Sequence, residues 1–168
     1  LKDKFCIGTA QFGMNYGITN KNGKLLWNEI NKILILAQKN NIRFLDTAQS
    51  YGNAELLIGE SLNNDKCFNL INKIQYSEKI IWDIKSIECL ENNLSQSLKK
   101  LKMSKIDTIM VHNSKDFTIE NSELLVQWLE NIKSRDIVKR IGVSIYSADE
   151  LKNLPLNIIN VVQVPLSL

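Results

Sequence analysis

Short apolar segments typical of β-strands alternate with amphipathic helical segments along this chain of 168 residues, and the alternation limits the folds open to it. The helical segments repeat apolar residues every three or four positions. Parallel strands need a crossover connection, so the order strand, helix, strand predicts a parallel sheet covered by helices. A closed barrel and an open doubly wound sheet both fit this pattern. The predicted strands are Phe5–Ile7, Arg43–Asp46, Phe68–Lys73, Ile106–His112, Lys139–Ser144 and Ile158–Val164.

Three helical patterns have clear apolar faces, and two serines mark expected helix starts. Ser86 precedes the second pattern, and Ser147 stands three residues before Glu150, which is the spacing of a capping box. The apolar faces consist of Ile30, Ile33, Leu34 and Ala37, then Leu90, Leu94, Leu98 and Leu101, then Leu125, Trp128, Leu129 and Ile132.

Charge and composition exclude several classes of protein. The formal net charge is +3, and no block of basic residues would follow a phosphate backbone, so we expect no nucleic-acid partner. No apolar run approaches the roughly 18 to 20 residues that span a bilayer, so we expect no membrane partner. The three cysteines are too far apart for a zinc knuckle or a CxxC pair, and we expect no metal site. With no secretory leader in view, we expect a cytoplasmic protein.

Polar side chains follow the ends of the second, third and fourth predicted strands. Asp46 ends the second strand and Tyr51 follows five residues later, while Lys73 and His112 end the next two. The carboxyl ends of parallel strands meet at one edge of the sheet, where α/β proteins place their reactive groups. An unpaired buried charge is unfavourable, so Lys73 and Asp46 are expected to meet.

Such a cluster suits proton transfer by tyrosine. An ammonium within about 4 Å of a phenolate stabilises it by up to roughly 4 kcal/mol at an effective dielectric of about 20. We therefore expect Lys73 to stabilise the phenolate of Tyr51, and Asp46 to hold Lys73 in place. His112 is expected to donate a hydrogen bond to a substrate oxygen and to orient it.

Several segments also resemble the aldo-keto reductase family. The stretch from Phe44 to Glu55, with Asp and Tyr five apart between a strand and a helix, is similar to the family signature. The remaining similar segments follow in family order: Ile7–Gly13, Ile71–Lys73, Asp107–His112, Ile141–Ser144 and Val162–Val164.

The resemblance implies a (β/α)8 TIM barrel of which this chain covers about the first six β/α units. Residues 1–168 are then expected to form a single barrel domain, incomplete at the C-terminus. The implied activity is NADPH-dependent interconversion of carbonyls and alcohols by hydride transfer, with NADH as the alternative cofactor and a small carbonyl compound as substrate. The implied catalytic residues are Asp46, Tyr51, Lys73 and His112, and the implied cofactor-binding residues are Gly8, Thr9, Ala10, Asp46, Ser144 and Gln163.

Two departures from the family keep other readings open. Ile145 stands where many members carry asparagine after the serine of the fifth strand. The seventh and eighth strands, which complete the cofactor site in the family, do not appear in the sequence. A regulatory or binding member of the family and a catalytically incomplete fragment are therefore alternative hypotheses, and substrate identity and oligomeric state stay open.

Overall fold

The computed structural model describes residues 5–63, 67–74 and 81–166. Strands and helices alternate along these residues as the sequence pattern predicts, except that two of the connections between strands contain a second, short helix. In chain order the elements are β1 (Cys6–Gly8), α1 (Ala10–Gly13), α2 (Trp27–Lys39), β2 (Phe44–Ala48), α3 (Ala54–Leu62), β3 (Asn69–Ile74), α4 (Ile84–Leu101), β4 (Ile106–Val111), a 3-10 helix (Ser114–Thr118), α5 (Ser122–Ser134), β5 (Val138–Ser144), a second 3-10 helix (Ala148–Asn153) and β6 (Val161–Gln163).

The six strands form one parallel sheet in the order β1-β2-β3-β4-β5-β6. A doubly wound sheet reverses its strand order at a switch point, whereas a barrel adds each strand beside the last. The sequential order therefore decides between the two predicted folds in favour of six units of a barrel. Its register places Ala48 opposite Lys73, and Lys73 in turn opposite Met110.

The core lies between the outer face of the sheet and the helices. Ile109, Ile141 and Val143 on the central strands are completely buried, and so is Leu129 of α5. The same alternation turns Asp46, Lys73 and Ser144 towards the other face, which becomes the inside of the curved sheet. No helix within the described ranges is long and apolar enough to cross a membrane.

Two helix starts show how local hydrogen bonds decide the element boundaries. Helix α4 begins earlier than expected, because Asp83 is its N-cap and accepts the Ser86 N–H at 2.7 Å. Ser86 is thus the third helical residue and not the residue before the helix. The predicted start at Ser147 agrees with the structure, where Glu150 accepts the Ser147 N–H at 3.0 Å.

Candidate active site

Lys73 and Asp46 form a buried ion pair at the carboxyl ends of β3 and β2. The Lys73 side chain is 4% exposed and that of Asp46 16% exposed, and Lys73 Nζ donates to Asp46 Oδ1. Little water reaches either charge, so each depends on the other for compensation. The ion pair fixes the position of the Lys73 ammonium group on the inner face of the sheet, near the carboxyl ends of its strands.

Tyr51 lies directly above this ammonium. Lys73 Nζ donates to the Tyr51 hydroxyl at 3.4 Å and lies 5.4 Å from the centre of the phenol ring. The phenol oxygen is therefore close enough to Lys73 for the ammonium to stabilise its anionic form.

The turn that carries Tyr51 is held by a contact between two glycines. A Cβ at Gly52 would lie 2.4 Å from the Gly13 carbonyl oxygen, and Gly52 has a φ of +57°. A Cβ at Gly13 would lie 1.7 Å from the Tyr51 carbonyl oxygen. Side chains at either position would push α1 away from the turn, so both glycines contribute to placing the phenol.

A buried polar group anchors the other side of the same turn. Glu55, in the first turn of α3, is 1% exposed and accepts from Asn72 Nδ2 at 2.8 Å. Its second oxygen lies 3.5 Å from Lys100 Nζ on α4. Glu55 therefore ties α3 to the residue that precedes Lys73.

His112 follows β4 and approaches Tyr51 from the side. The two ring centroids are 6.4 Å apart with an interplanar angle of 85°. Burial and, to a smaller extent, the Lys73 ammonium lower the pKa of His112, while Asp46 opposes the shift. The imidazole is therefore neutral at neutral pH and has one N–H to donate. Among the described residues nothing partners its buried Nδ1.

Besides the Lys73 ammonium, Asp46 accepts hydrogen bonds from residues at the ends of β1 and β6. Thr9, just after β1, donates both its N–H and its hydroxyl to the Asp46 carbonyl oxygen, each at 2.9 Å. Gln163 at the end of β6 donates through Nε2 to Asp46 Oδ2 at 3.1 Å, and Ser144 donates to Gln163 Oε1 at 3.4 Å. The carboxylate is fixed at both oxygens.

The same strand ends border open space and carry polar side chains. Gly8 lies opposite Asp46 in the register, and a Cβ built on it meets no atom within 4 Å, which leaves open space beside the carboxylate. Ser144 and Gln163 offer a hydroxyl and an amide, the groups that recognise a carboxamide. Ala10 is buried at the start of α1, and Ile145 is buried in the core.

The structure thus brings together Asp46, Tyr51, Lys73, His112, Ser144 and Gln163, all of which the sequence analysis selected. It also shows two features that the sequence did not indicate. Asp116 is buried in the 3-10 helix after β4, and Ser114 of that helix donates to Glu150 after β5. Asp116, Ser114 and Glu150 are not the last residues of a strand, so a search at strand ends did not select them.

Residues 4–168 match the aldo/keto reductase family. Because the match covers nearly the whole chain, the chain belongs to this family of oxidoreductases. No curated protein gives a match.

Solved structures of aldo-keto reductases have a similar fold. A Pseudomonas aeruginosa protein assigned to this group aligns with a TM-score of 0.77 at 24% identity. AKR11C1 from Bacillus halodurans, in its holo form, aligns with a TM-score of 0.72 at 18% identity. AKR2E4 from Bombyx mori, in complex with NADP, aligns with a TM-score of 0.70 at 20% identity.

The three alignments cover 95%, 95% and 96% of this chain but only 61%, 52% and 53% of the other proteins. The chain therefore spans between half and about three fifths of their length. The likeness confirms the predicted fold class, a TIM barrel represented here by its first six β/α units.

Proposed function

We propose that the protein carrying this chain is an NADPH-dependent reductase of a small aldehyde, ketone or sugar carbonyl, with Tyr51 as its general acid and base. One observation carries the proposal: the buried Lys73 ammonium, paired with Asp46, lies 3.4 Å from the Tyr51 hydroxyl. We place residues 1–168 in one barrel domain of that protein, and the protein in the cytoplasm.

Tyr51 is the proton donor in this mechanism. When the carbonyl oxygen gains negative charge, the Tyr51 hydroxyl gives its proton to that oxygen and becomes a phenolate. The Lys73 ammonium lies 3.4 Å from the Tyr51 hydroxyl and attracts the negative charge of the phenolate. Asp46 keeps the ammonium in place and reduces its net field, so the phenolate can take a proton back in the reverse reaction.

His112 orients the substrate. Its neutral imidazole donates a hydrogen bond to the carbonyl oxygen and so holds that oxygen beside the phenol. A charged imidazolium would compete with Tyr51 as the acid, and the lowered pKa of His112 avoids this at neutral pH.

Ser144 and Gln163 are the residues proposed to hold the nicotinamide carboxamide, and Gly8, Thr9 and Ala10 border the same space. A bound reduced nicotinamide supplies the hydride that the protein's own side chains lack. NADPH is proposed in preference to NADH, in line with the NADP bound by the Bombyx mori structure. Calorimetric titration of the purified protein with NADPH and with NADH compares the affinities for the two cofactors.

Substitution of Tyr51 by phenylalanine tests the proposal. We expect the variant to lose at least about 100-fold in carbonyl-dependent NADPH oxidation, because general acid catalysis of this kind contributes roughly 100- to 10,000-fold. Tyr146→Phe is the matched control, since Tyr146 is 80% exposed, and it is expected to keep the parent rate. An unchanged rate in Tyr51→Phe would exclude the mechanism. Cofactor binding without turnover on a broad carbonyl panel would favour a regulatory or binding role.

A further inference from the structure

Gln163 reaches Asp46 across the inside of the curved sheet. The two residues are 117 positions apart, and β3, β4 and β5 lie between their strands. Their side chains nevertheless approach to 3.1 Å. The contact is therefore made through the interior of the sheet, where the candidate active site lies.

The contact completes the hydrogen bonding of the carboxylate. Lys73 donates to Asp46 Oδ1, and Gln163 donates to Asp46 Oδ2. A carboxylate with one bonded oxygen can rotate about its Cβ–Cγ bond and carry its ammonium partner with it. With both oxygens bonded from different strands, the orientation of the carboxylate is fixed.

The Asp46 carboxylate determines which end of the Gln163 amide faces it. An ionised carboxylate only accepts hydrogen bonds, so the atom that faces it must be the amide nitrogen. The oxygen at the other end of the amide then accepts from the Ser144 hydroxyl at 3.4 Å. Ile145 brings no second amide to this place, because its side chain is apolar and 3% exposed.

We propose that Gln163 is a positioning residue for proton transfer: its amide fixes the Asp46 carboxylate, and through it the Lys73 ammonium below the Tyr51 hydroxyl. This role is additional to contact with a carboxamide, and it rests on the function proposed above. The end of β6 then contributes to proton transfer through the hydrogen bond of Gln163, although the Gln163 amide does not itself ionise.

The test compares Gln163→Met with Gln127→Met, which removes a glutamine from the exposed face of α5. In protein labelled with 13C at the aspartate carboxyls, Asp46→Asn identifies the Asp46 signal. We expect that signal to move in Gln163→Met and to stay in place in Gln127→Met. We also expect the 13Cζ signal of Tyr51, identified with Tyr51→Phe, to move in Gln163→Met only. A folded Gln163→Met variant with both signals at their parent positions would overturn the proposal.

A measurement on the unsubstituted protein keeps the test valid if Gln163→Met does not fold. The side-chain amide protons of Gln163 should exchange with solvent at least about 10-fold more slowly than those of Gln127, since they are held by a charged acceptor. Equal exchange rates would contradict the assigned contact.

Turnover separates this proposal from the proposed function. At saturating NADPH we expect kcat of Gln163→Met to fall about 10-fold or more while KM for the carbonyl changes little. If the parent protein has no turnover, the proposed function fails but the spectroscopic arm still decides the position of Asp46. If the parent turns over and kcat of Gln163→Met is unchanged, the positioning role alone is excluded.

Discussion

Lys73 and Asp116 are both buried ionisable residues, yet their surroundings differ. Lys73 is paired with Asp46, whereas none of the ion pairs among the described residues includes Asp116. Burial raises the pKa of Asp116 from 3.8 to about 6. The carboxylate form of Asp116 is therefore disfavoured in the folded protein relative to the unfolded chain.

The raised pKa gives a pH-dependent prediction for Asp116→Asn. Above pH 6 the folded protein must keep Asp116 ionised in a buried position, and the difference between 3.8 and about 6 corresponds to about 3 kcal/mol at most. Stability is lost as pH rises from about 4 to 6, so we expect the variant to unfold at higher urea concentration than the parent at pH 7.5.

At pH 3.5 the two proteins should unfold at similar urea concentrations, because Asp116 is then largely protonated in both states. Asp149→Asn is the matched control, since the Asp149 side chain is 84% exposed, and we expect it to change stability little at either pH. A gain that is equal at pH 7.5 and pH 3.5 would show that titration of Asp116 is not the cause.

The residues of the candidate site could be selected from the sequence, whereas the burial of Asp116 could not, for one physical reason. Asp46 and Lys73 lie near the carboxyl ends of β2 and β3, and His112 directly follows β4. Parallel strands bring these ends to a common edge of the sheet whatever the details of packing. The burial of Asp116 depends instead on tertiary packing, such as Trp82, whose Nε1 donates to the Asp116 carbonyl oxygen at 2.9 Å. No local sequence pattern predicts a contact between residues 34 positions apart.

Among the helices, the close packing of α3 on α4 depends on Gly59. A Cβ at Gly59 would lie 2.0 Å from the Lys100 carbonyl oxygen and 2.8 Å from the carbonyl carbon of Leu101. Both neighbours are backbone atoms, so neither can move without moving the end of α4.

Gly59→Ala should therefore reverse the usual effect of this exchange. Alanine in place of glycine inside a helix ordinarily stabilises by about 1 kcal/mol. Here we expect a loss of about 1 to 3 kcal/mol, measured by urea unfolding, because the added methyl group overpacks the contact. Glu60→Ala, at an exposed position of the same helix, should change stability by less than about 0.5 kcal/mol. A more stable Gly59→Ala variant would mean that α3 and α4 do not approach this closely.

Helix periodicity located α2, α4 and α5, and the four residues it selected in α5 are the buried ones. In α2 and α4 it also selected Ile33 and Leu98, which are only partly buried. It did not select the buried Ser86 and Ser97 of α4. The pattern did not define α3, which was expected only through the family signature. Its nine residues include the buried Glu55 and Gly59, so its inner face is not a stripe of large apolar side chains. Periodicity arguments lose power where small or polar residues make the contact.

For the molecule as a whole, the pattern of strands and helices predicted a parallel sheet and left its curvature open, whereas the resemblance to the aldo-keto reductase family predicted the barrel that the structure confirms. The strand patterns are the same in a barrel and in a doubly wound sheet, because both bury their strands under helices. What separates them is the sequential strand order, which is a property of long-range connection and has no local signal.

The strand order also predicts a gradient of stability across the sheet. β3 and β4 pair on both sides, whereas β1 and β6 each pair on one side within the described residues. In a polypeptide of residues 1–168 we expect backbone amides of β3 and β4 to exchange hydrogen most slowly and those of β1 and β6 fastest, because local opening is easiest at an edge. Mass spectrometry of exchanged, digested protein measures this. Equal protection in β1 and β4 would mean that another segment or a second copy covers the edge.

The contact between Gln163 and Asp46 has a consequence for synthesis on the ribosome. Lys73 follows Asp46 by 27 positions, so this ion pair can form while the nascent chain is short, whereas Gln163 emerges 117 positions after Asp46. Asp46 can therefore meet its Lys73 partner earlier in synthesis than its Gln163 partner. A chain that ends before β6 has the Lys73 partner of Asp46 but lacks the Gln163 partner.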